Sequence, residues 1–204
     1  MLKLHQSLEM KKIIKRCAWV SDDPLMIAYH HREWGVPLYN DRKLFELLIL
    51  EGAQVGLAWM TVLGKRENFR KAFHGFDPIV IARYGNQNVK RLLDDLGIIR
   101  NRLKIKAAII NAMKFLEVQK EFGSFHKYIW QFTGGKTIKH KLQSPAEIPS
   151  TTEESDAMSR DLRKRGFTFV GSTICYAFMQ AAEMVNDHTT DCFGYKKVSR
   201  AESC

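Results

Sequence analysis

The sequence predicts an all-α fold, and three observations carry that prediction. Apolar residues recur at spacings of three and four along most of the chain, and no run of period-two alternation is long enough for a sheet. Helix-start and helix-stop residues punctuate the apolar segments. With 204 residues, 45% of them hydrophobic, the chain can form one large domain or two small lobes around a substantial core. Taken in order, Asp41 is placed to cap a helix carrying Leu44, Phe45, Leu47 and Leu48. Gly52 and Gly56 punctuate the chain before a second helix with Val55, Trp59, Val62 and Leu63. Asp77-Pro78 combines a side-chain acceptor at the N-cap with proline at the first helical position. Asn86 opens a short helix through Val89, Leu92 and Leu93, a long helix follows over about 102–121, and a short one comes after Ser124. Residues 133–150 (TGGKTIKHKLQSPAEIPS) read as a loop. A helix from about 155 stops at Gly166, and a last, buried one spans 172–185. There are no internal repeats and no low-complexity tracts. The expected architecture is two helical lobes.

The net charge of +10, from 32 basic and 22 acidic residues, narrows the partners. Residues 1–16 supply +4 and the rest of the chain +6, so the body is basic in its own right. A basic globular domain favours a polyanion, most simply nucleic acid, although a merely basic soluble protein fits the same charge. No apolar run approaches the roughly 20 residues of a membrane span, and the N-terminal stretch has no small-residue cleavage site. Four cysteines in a chain of this length are no disulfide framework; a reducing, cytoplasmic compartment is expected.

Three constellations of residues carry chemistry. Cys17 and His30 lie near one end, His188 and Cys192 (H-x3-C) near the other. Two thiolates and two imidazoles complete a tetrahedral shell for Zn²⁺ with no position left open, which marks a structural rather than catalytic metal. Two ordinary cysteines and two surface histidines fit the spacing as well. Second, residues 92–100 (LLDDLGIIR) place a Gly-containing turn between two helices. Gly97 can take positive φ cheaply, and the helix after it offers N–H groups and a positive dipole end to a phosphate. Arg100, Arg102, Lys104 and Lys106 surround that end; an ordinary αα-turn with basic flanks is the alternative. Third, Trp19, Trp34 and Trp59, three of the four tryptophans, fall with Tyr29 in the first 60 residues. Glu51 lies at the end of a strongly apolar helix, where burial is costly unless the carboxylate meets a donor or a cation. Aromatic faces and a carboxylate suit a flat, cationic heteroaromatic ligand. Core tryptophans with a solvent-facing glutamate would give the same pattern.

Longer stretches carry a more specific signal. CAWVSDDPLMIAYHHREWGVP (17–37), LFELLILEGAQVGLAWMTVLGKRENFRKAFHGFDP (44–78), LGIIRNRLKIKAAIINA (96–112) and SDAMSRDLRKRGFTFVGSTICYAFMQAAEMVNDH (155–188) closely resemble the 3-methyladenine DNA glycosylase I (Tag) family, in order and over roughly 17–194. The resemblance implies a two-lobed helix-hairpin-helix glycosylase fold in which one structural Zn²⁺, held by Cys17, His30, His188 and Cys192, joins the two ends. It implies a base pocket built by Glu51, Trp59 and Tyr29, with Trp19 and Trp34 as neighbouring walls and Glu51 as the catalytic group. Gly56-Leu57 is the part expected to enter the vacated DNA stack, and Gly97, Arg100, Arg102 and Lys104 are expected to hold the DNA backbone. The implied activity is monofunctional: N3-methyladenine is flipped out of double-stranded DNA, its N-glycosidic bond is hydrolysed, and an abasic site and free 3-methyladenine result. The expected molecule is a monomer with a basic leader (1–16), one glycosylase domain (17–194) and a tail (195–204). Cys175 reads as buried packing, and Cys204 has no role.

Some positions depart from the family pattern. The leader has no counterpart, Ala18 stands where glycine is expected, Met26 where tyrosine is, and Ala58 where serine is. Met26 and Ala58 fall close to pocket positions. A reading of a different class therefore stays open: a zinc-stabilised domain that binds damaged DNA without glycosylase activity.

Overall fold

The computed structural model describes residues 14–196, and it is predominantly helical. Helix α1, Pro24–Arg32, starts on Asp23, whose carboxylate accepts from the N–H of Leu25 (2.8 Å) and Met26 (3.4 Å). This helix is not among those expected from the sequence, although Asp23-Pro24 repeats the start signal of Asp77-Pro78. Spacing i, i+3, i+4 turns Met26, Tyr29 and His30 inward together.

Helix α2, Asp41–Gln54, is capped by Asn40, which accepts from Lys43 N–H at 3.0 Å. Asp41 is not the cap; it is the first helical residue, and its carboxylate reaches across to another helix start. There it accepts from the N–H groups of Phe125 (2.7 Å) and His126 (2.9 Å) and from Gln119 Nε2 (2.6 Å). Gly52 does not break α2 either. It is buried inside the helix, where a Cβ would stand 3.3 Å from Phe169. The break comes at Gly56, with φ 76°. Helix α3, Trp59–Ala72, therefore begins later than expected, and Val55 is the C-cap of α2.

Helix α4, Pro78–Ile81, starts on Asp77 as predicted, and α5 covers Asn86–Asp94. Helix α6, Arg102–Phe122, ends at Gly123 with φ 80°, and α7, Phe125–Trp130, is capped by Ser124. Helix α8, Glu153–Lys164, starts earlier than expected because Thr152 and Ser155 cap each other's N–H reciprocally. Helix α9, Ser172–Ala181, is four residues shorter than predicted at its C-terminal end. Glu183 adopts φ 59°, and the chain turns into β2, Val185–Asn186, which pairs in parallel with β1, Ile138–Lys139, from the predicted loop. Two-residue strands lie below what period-two alternation can register.

Helix α2 packs against α3, α6, α7 and α9. Burial on several sides (Leu44, Phe45, Leu48, Ile49, Leu50, Ala53) leaves no solvent face near its C-terminal end, and Glu51 is carried inside with them. The main core spreads around this helix, while a smaller cluster joins Cys17, Met26, Tyr29, Trp34, Leu63, Ala181 and Cys192. Leu47 and Trp59 pack against both. Among the described residues no helix is long and apolar enough to cross a membrane. Most of the expected leader, and Cys204, lie outside those residues. Lys15 and Arg16 pack against the folded body through Lys15–Asp191 (2.7 Å) and Arg16 Nε to His31 Nε2 (2.8 Å).

Candidate functional site

The four Cys and His residues converge. Cys17 precedes α1, His30 sits on it, and His188 and Cys192 follow β2 in a tight turn closed by Cys192 N–H to Thr189 O at 2.8 Å. All four are buried and their ligand atoms lie within 4.8 Å of one another, so the surface-histidine alternative is wrong. Three measured edges are Cys17 Sγ–His188 Nδ1 3.4 Å, Cys192 Sγ–His188 Nδ1 3.5 Å and Cys192 Sγ–His30 Nε2 3.6 Å. Tetrahedral geometry around a metal with S and N ligands at their usual bond lengths gives an S–N edge of about 3.6 Å. The group could thus hold a metal ion.

The Cys17 thiol is pushed up by its hydrogen bond to Cys192 and by burial, while hydrogen bonds with Cys17, His188 and His30 pull the Cys192 thiol down. Two glycines missed in the sequence make the arrangement possible. At Gly35 (φ 69°) a Cβ would stand 2.5 Å from His188 Nε2, and at Gly194 it would overlap the same ring. The Gly194 N–H also donates to Cys192 Sγ at 3.4 Å.

Aromatic rings lie directly against this group. Trp34 meets the His188 ring edge-on at 4.6 Å and stacks near His30 at 5.9 Å, and Trp19 packs on both Trp34 (4.9 Å) and His30 (5.3 Å). The same two tryptophans line a cavity of about 580 Å³ with Met26, Tyr29, Glu51 and Trp59. Every aromatic residue and the acid singled out in the sequence therefore meet in one place. Met26 and Ala58, the departures, line it too. Gln54, Met60, Pro145, Ile148, Ala177 and Gln180 were missed. Of these only Gln54 had a local signal, lying three residues beyond Glu51 on one helix face.

Glu51 is 4% exposed and makes no hydrogen bond or ion pair with the described residues. Burial pushes its carboxyl up to about 8. Tyr29, 5.3 Å from Trp59 between ring centroids, is held well above the usual phenol range by burial and then by the nearby Glu51 and Glu33 charges, so it keeps its proton. The Trp59 Nε1–H is buried without an acceptor among the described residues. The cavity thus combines flat aromatic faces, a phenol and an uncompensated acid. A second cavity of about 400 Å³ shares the Tyr29 and Trp59 walls, but the ion pairs Arg66–Glu33 and Arg70–Glu46 line it and satisfy their own charges.

The turn between α5 and α6 differs from expectation in detail. Gly97 is not at positive φ. Glycine is needed for space: a Cβ would lie 2.9 Å from Asp95 Oδ1 and 3.1 Å from Asn68. The N–H groups of Leu103 and Lys104 are already taken by the Asn101 side chain, and that of Gly97 by Asp95. Those of Ile99, Arg100 and Arg102 have no acceptor among the described residues. Arg100, Arg102 and Lys106 are exposed. Lys104, expected to meet a phosphate, instead donates from Nζ to the carbonyls of Ala53 (2.7 Å) and Val55 (2.6 Å). Cys175, buried in α9 with its thiol on Val170 O and pushed up to about 12 by burial, is packing as predicted.

Comparison with known proteins agrees with this geometry. The family model described as methyladenine glycosylase matches residues 19–195. The DNA-3-methyladenine glycosylase 1 of Escherichia coli (strain K12) is 50% identical over 182 residues, covering 89% of this chain and 97% of that protein. The DNA-3-methyladenine glycosylase of Haemophilus influenzae (strain ATCC 51907 / DSM 11121 / KW20 / Rd) is 44% identical over 177 residues, with 87% and 96% coverage. A crystal structure of 3-methyladenine DNA glycosylase I (TAG) superposes with TM-score 0.86 at 54% identity, covering 88% of this chain and 98% of that one. The enzyme from Staphylococcus aureus, solved to explain its recognition of 3-methyladenine, gives 0.86 at 32% identity, with 90% and 98% coverage.

Proposed function

Because this chain belongs to the methyladenine glycosylase family, we propose that it is a DNA-3-methyladenine glycosylase. It is a hydrolase of N-glycosyl bonds acting in the repair of alkylated DNA. The observation that carries the reading is the unpaired, buried Glu51 facing an aromatic cavity. N3-methylation makes adenine cationic, so its glycosidic bond is weak and the base departs neutral. The protein's tasks are then to extrude the nucleotide and to select the cationic base. Extrusion costs a few kcal/mol, less for a damaged base. Stacking on Trp59 and Tyr29, beside the Trp19 and Trp34 walls, returns about 1–3 kcal/mol per base.

Selection follows from the Glu51 environment. In the empty pocket at neutral pH its carboxyl is largely protonated, since burial sets it at about 8. A cationic base favours the ionised form, whereas a neutral purine does not. The carboxylate thus attracts the damaged base and leaves ordinary adenine unassisted. Among the described residues no lysine lines the cavity, and the mechanism is monofunctional: water displaces the base and an abasic site remains.

For the metal, Cys17, His30, His188 and Cys192 fit one Zn²⁺. A closed shell of four protein ligands gives it a structural role: it contributes folding energy and no chemical step. The α5–turn–α6 unit is the helix-hairpin-helix that meets the DNA backbone, and residues 17–194 form a single glycosylase domain acting on double-stranded DNA as a monomer. Free 3-methyladenine, the product, occupies the same aromatic pocket. The deciding experiment is incubation with methylated duplex, scoring released 3-methyladenine and alkali-labile sites. Release with one abasic site per base supports the reading. Tight binding to the damaged duplex without release would instead make the chain a zinc-stabilised damage-binding domain.

A further inference from the structure

Lys104 differs from the other basic residues around the hairpin. Its ammonium caps the C-terminal carbonyls of α2, at Ala53 and Val55, which have no intrahelical partner and sit at the negative end of the helix dipole. Those two carbonyls flank the start of a type II turn: Val55 has φ −45° and ψ 117°, Gly56 has φ 76°, and Leu57 N–H donates to Gln54 O at 2.7 Å. That pattern needs a glycine at its third position. The turn links the helix of Glu51 to the helix of Trp59 and exposes Val55 (41%) and Leu57 (39%). A second set of bonds ties the hairpin to α3: Lys65 Nζ donates to Leu96 O (3.0 Å) and Gly97 O (3.4 Å), and Asn68 Nδ2 to Gly97 O (3.4 Å). The hairpin is thus fastened to the helices that carry Glu51 and Trp59, and Lys104 is the fastening at the projecting turn.

We propose that Lys104 is a positioning residue and not a phosphate contact: it fixes the Val55–Gly56–Leu57 turn relative to the hairpin, so that seating the hairpin on the DNA backbone brings Leu57 to the place the flipped nucleotide leaves. This rests on the base-flipping reading above. Without the ammonium, the end of α2 loses both bonds and the turn is held only by its own closure. A shift of about 1 Å in a positioning element costs on the order of 100-fold in rate.

The test uses the full chain with Lys104→Met, which keeps the length and removes the donors, and Lys104→Arg, which keeps donors and charge. Lys104→Met is expected to speed amide hydrogen exchange at residues 54–58. It should lower kcat on methylated duplex by about 10- to 100-fold, with KM and the salt dependence of duplex binding unchanged; Lys104→Arg restores most of both. A log–log salt slope reduced by about 0.9 with kcat retained would make Lys104 a phosphate contact and overturn the proposal. Unchanged exchange and unchanged kcat would overturn it too. Should Lys104→Met not fold, Lys104→Gln is read by the same measures. If the wild-type protein excises nothing, the glycosylase reading fails, while exchange at residues 54–58 still decides whether Lys104 holds the turn.

Discussion

The Glu51 carboxyl, pushed up by burial from its ordinary 4.5 to about 8, binds its proton more tightly folded than unfolded. Its contribution to stability is therefore complete below about pH 4.5 and is lost as pH rises through about 8. A neutral amide of the same shape escapes that loss. We expect Glu51→Gln to raise Tm by about 4–10 °C at pH 9 and to leave it nearly unchanged at pH 4, measured by thermal melts across pH. The same substitution removes a charge-assisted contact to a cationic base, so excision of 3-methyladenine should fall by about 10- to 100-fold. In wild type, kcat/KM should rise with pH towards about 8, and the variant should lack that limb. Equal excision rates in the two proteins would take Glu51 out of the mechanism. The acid was visible in the sequence only as one of two alternatives, because local spacing does not say whether an apolar helix lies at the centre of a fold. Gly35 and Gly194 were invisible for a related reason. Their need for hydrogen in place of a side chain comes from the His188 ring, which is remote from Gly35 in sequence and placed only by the fold.

Helix α3 starts without a side-chain cap, since its N-cap is Ala58. Serine, the residue expected there from the family pattern, would accept from an orphan N–H of the first turn. Ala58→Ser should therefore stabilise the protein by about 0.5–1 kcal/mol, seen as a rise in melting temperature with helical content unchanged; a lower Tm would mean that the hydroxyl meets the cavity instead of the helix. Elements with a chemical start signal were the most legible: Asp77-Pro78, Asn86 and Ser124 all open helices where expected. Ends were less so. Apolar periodicity continues past Ala181, but Glu183 at φ 59° lies beyond the end of α9, and Met184 and Val185, apolar and buried, lead into and begin β2 instead. Asp41 shows a different limit. An acceptor at a helix start was read as serving its own helix, whereas it serves α7, more than 80 residues away.

At the scale of the whole molecule, the Cys and His group that could hold a metal brings together residues 171 positions apart, Cys17 and His188. A cross-link closing so long a loop removes unfolded-state entropy worth several kcal/mol, and metal binding adds its own folding energy. With one zinc in the proposed site, Cys192→Ala should cost at least about 3 kcal/mol and most of the bound metal, measured by denaturant melts and elemental analysis. Wild-type protein purified without any zinc would remove this role. The other function proposed for the fold, the grip on DNA, is assigned to the hairpin. With Lys104 engaged by α2, the exposed Arg100, Arg102 and Lys106 remain free for phosphate, and Arg100 and Arg102 lie beside N–H groups that have no acceptor among the described residues. Neutralising both, as Arg100→Gln with Arg102→Gln, should weaken damaged and undamaged duplex alike. Each lost phosphate contact lowers the log–log salt slope by about 0.9, so the double variant should fall by about 1.8 if both arginines make one contact. Free 3-methyladenine, which needs only the aromatic and acidic cavity, should bind as in wild type, because phosphate contacts position and pocket contacts select. Titrating both ligands across salt concentrations separates the two surfaces, and an unchanged slope would move the DNA-binding face off this hairpin.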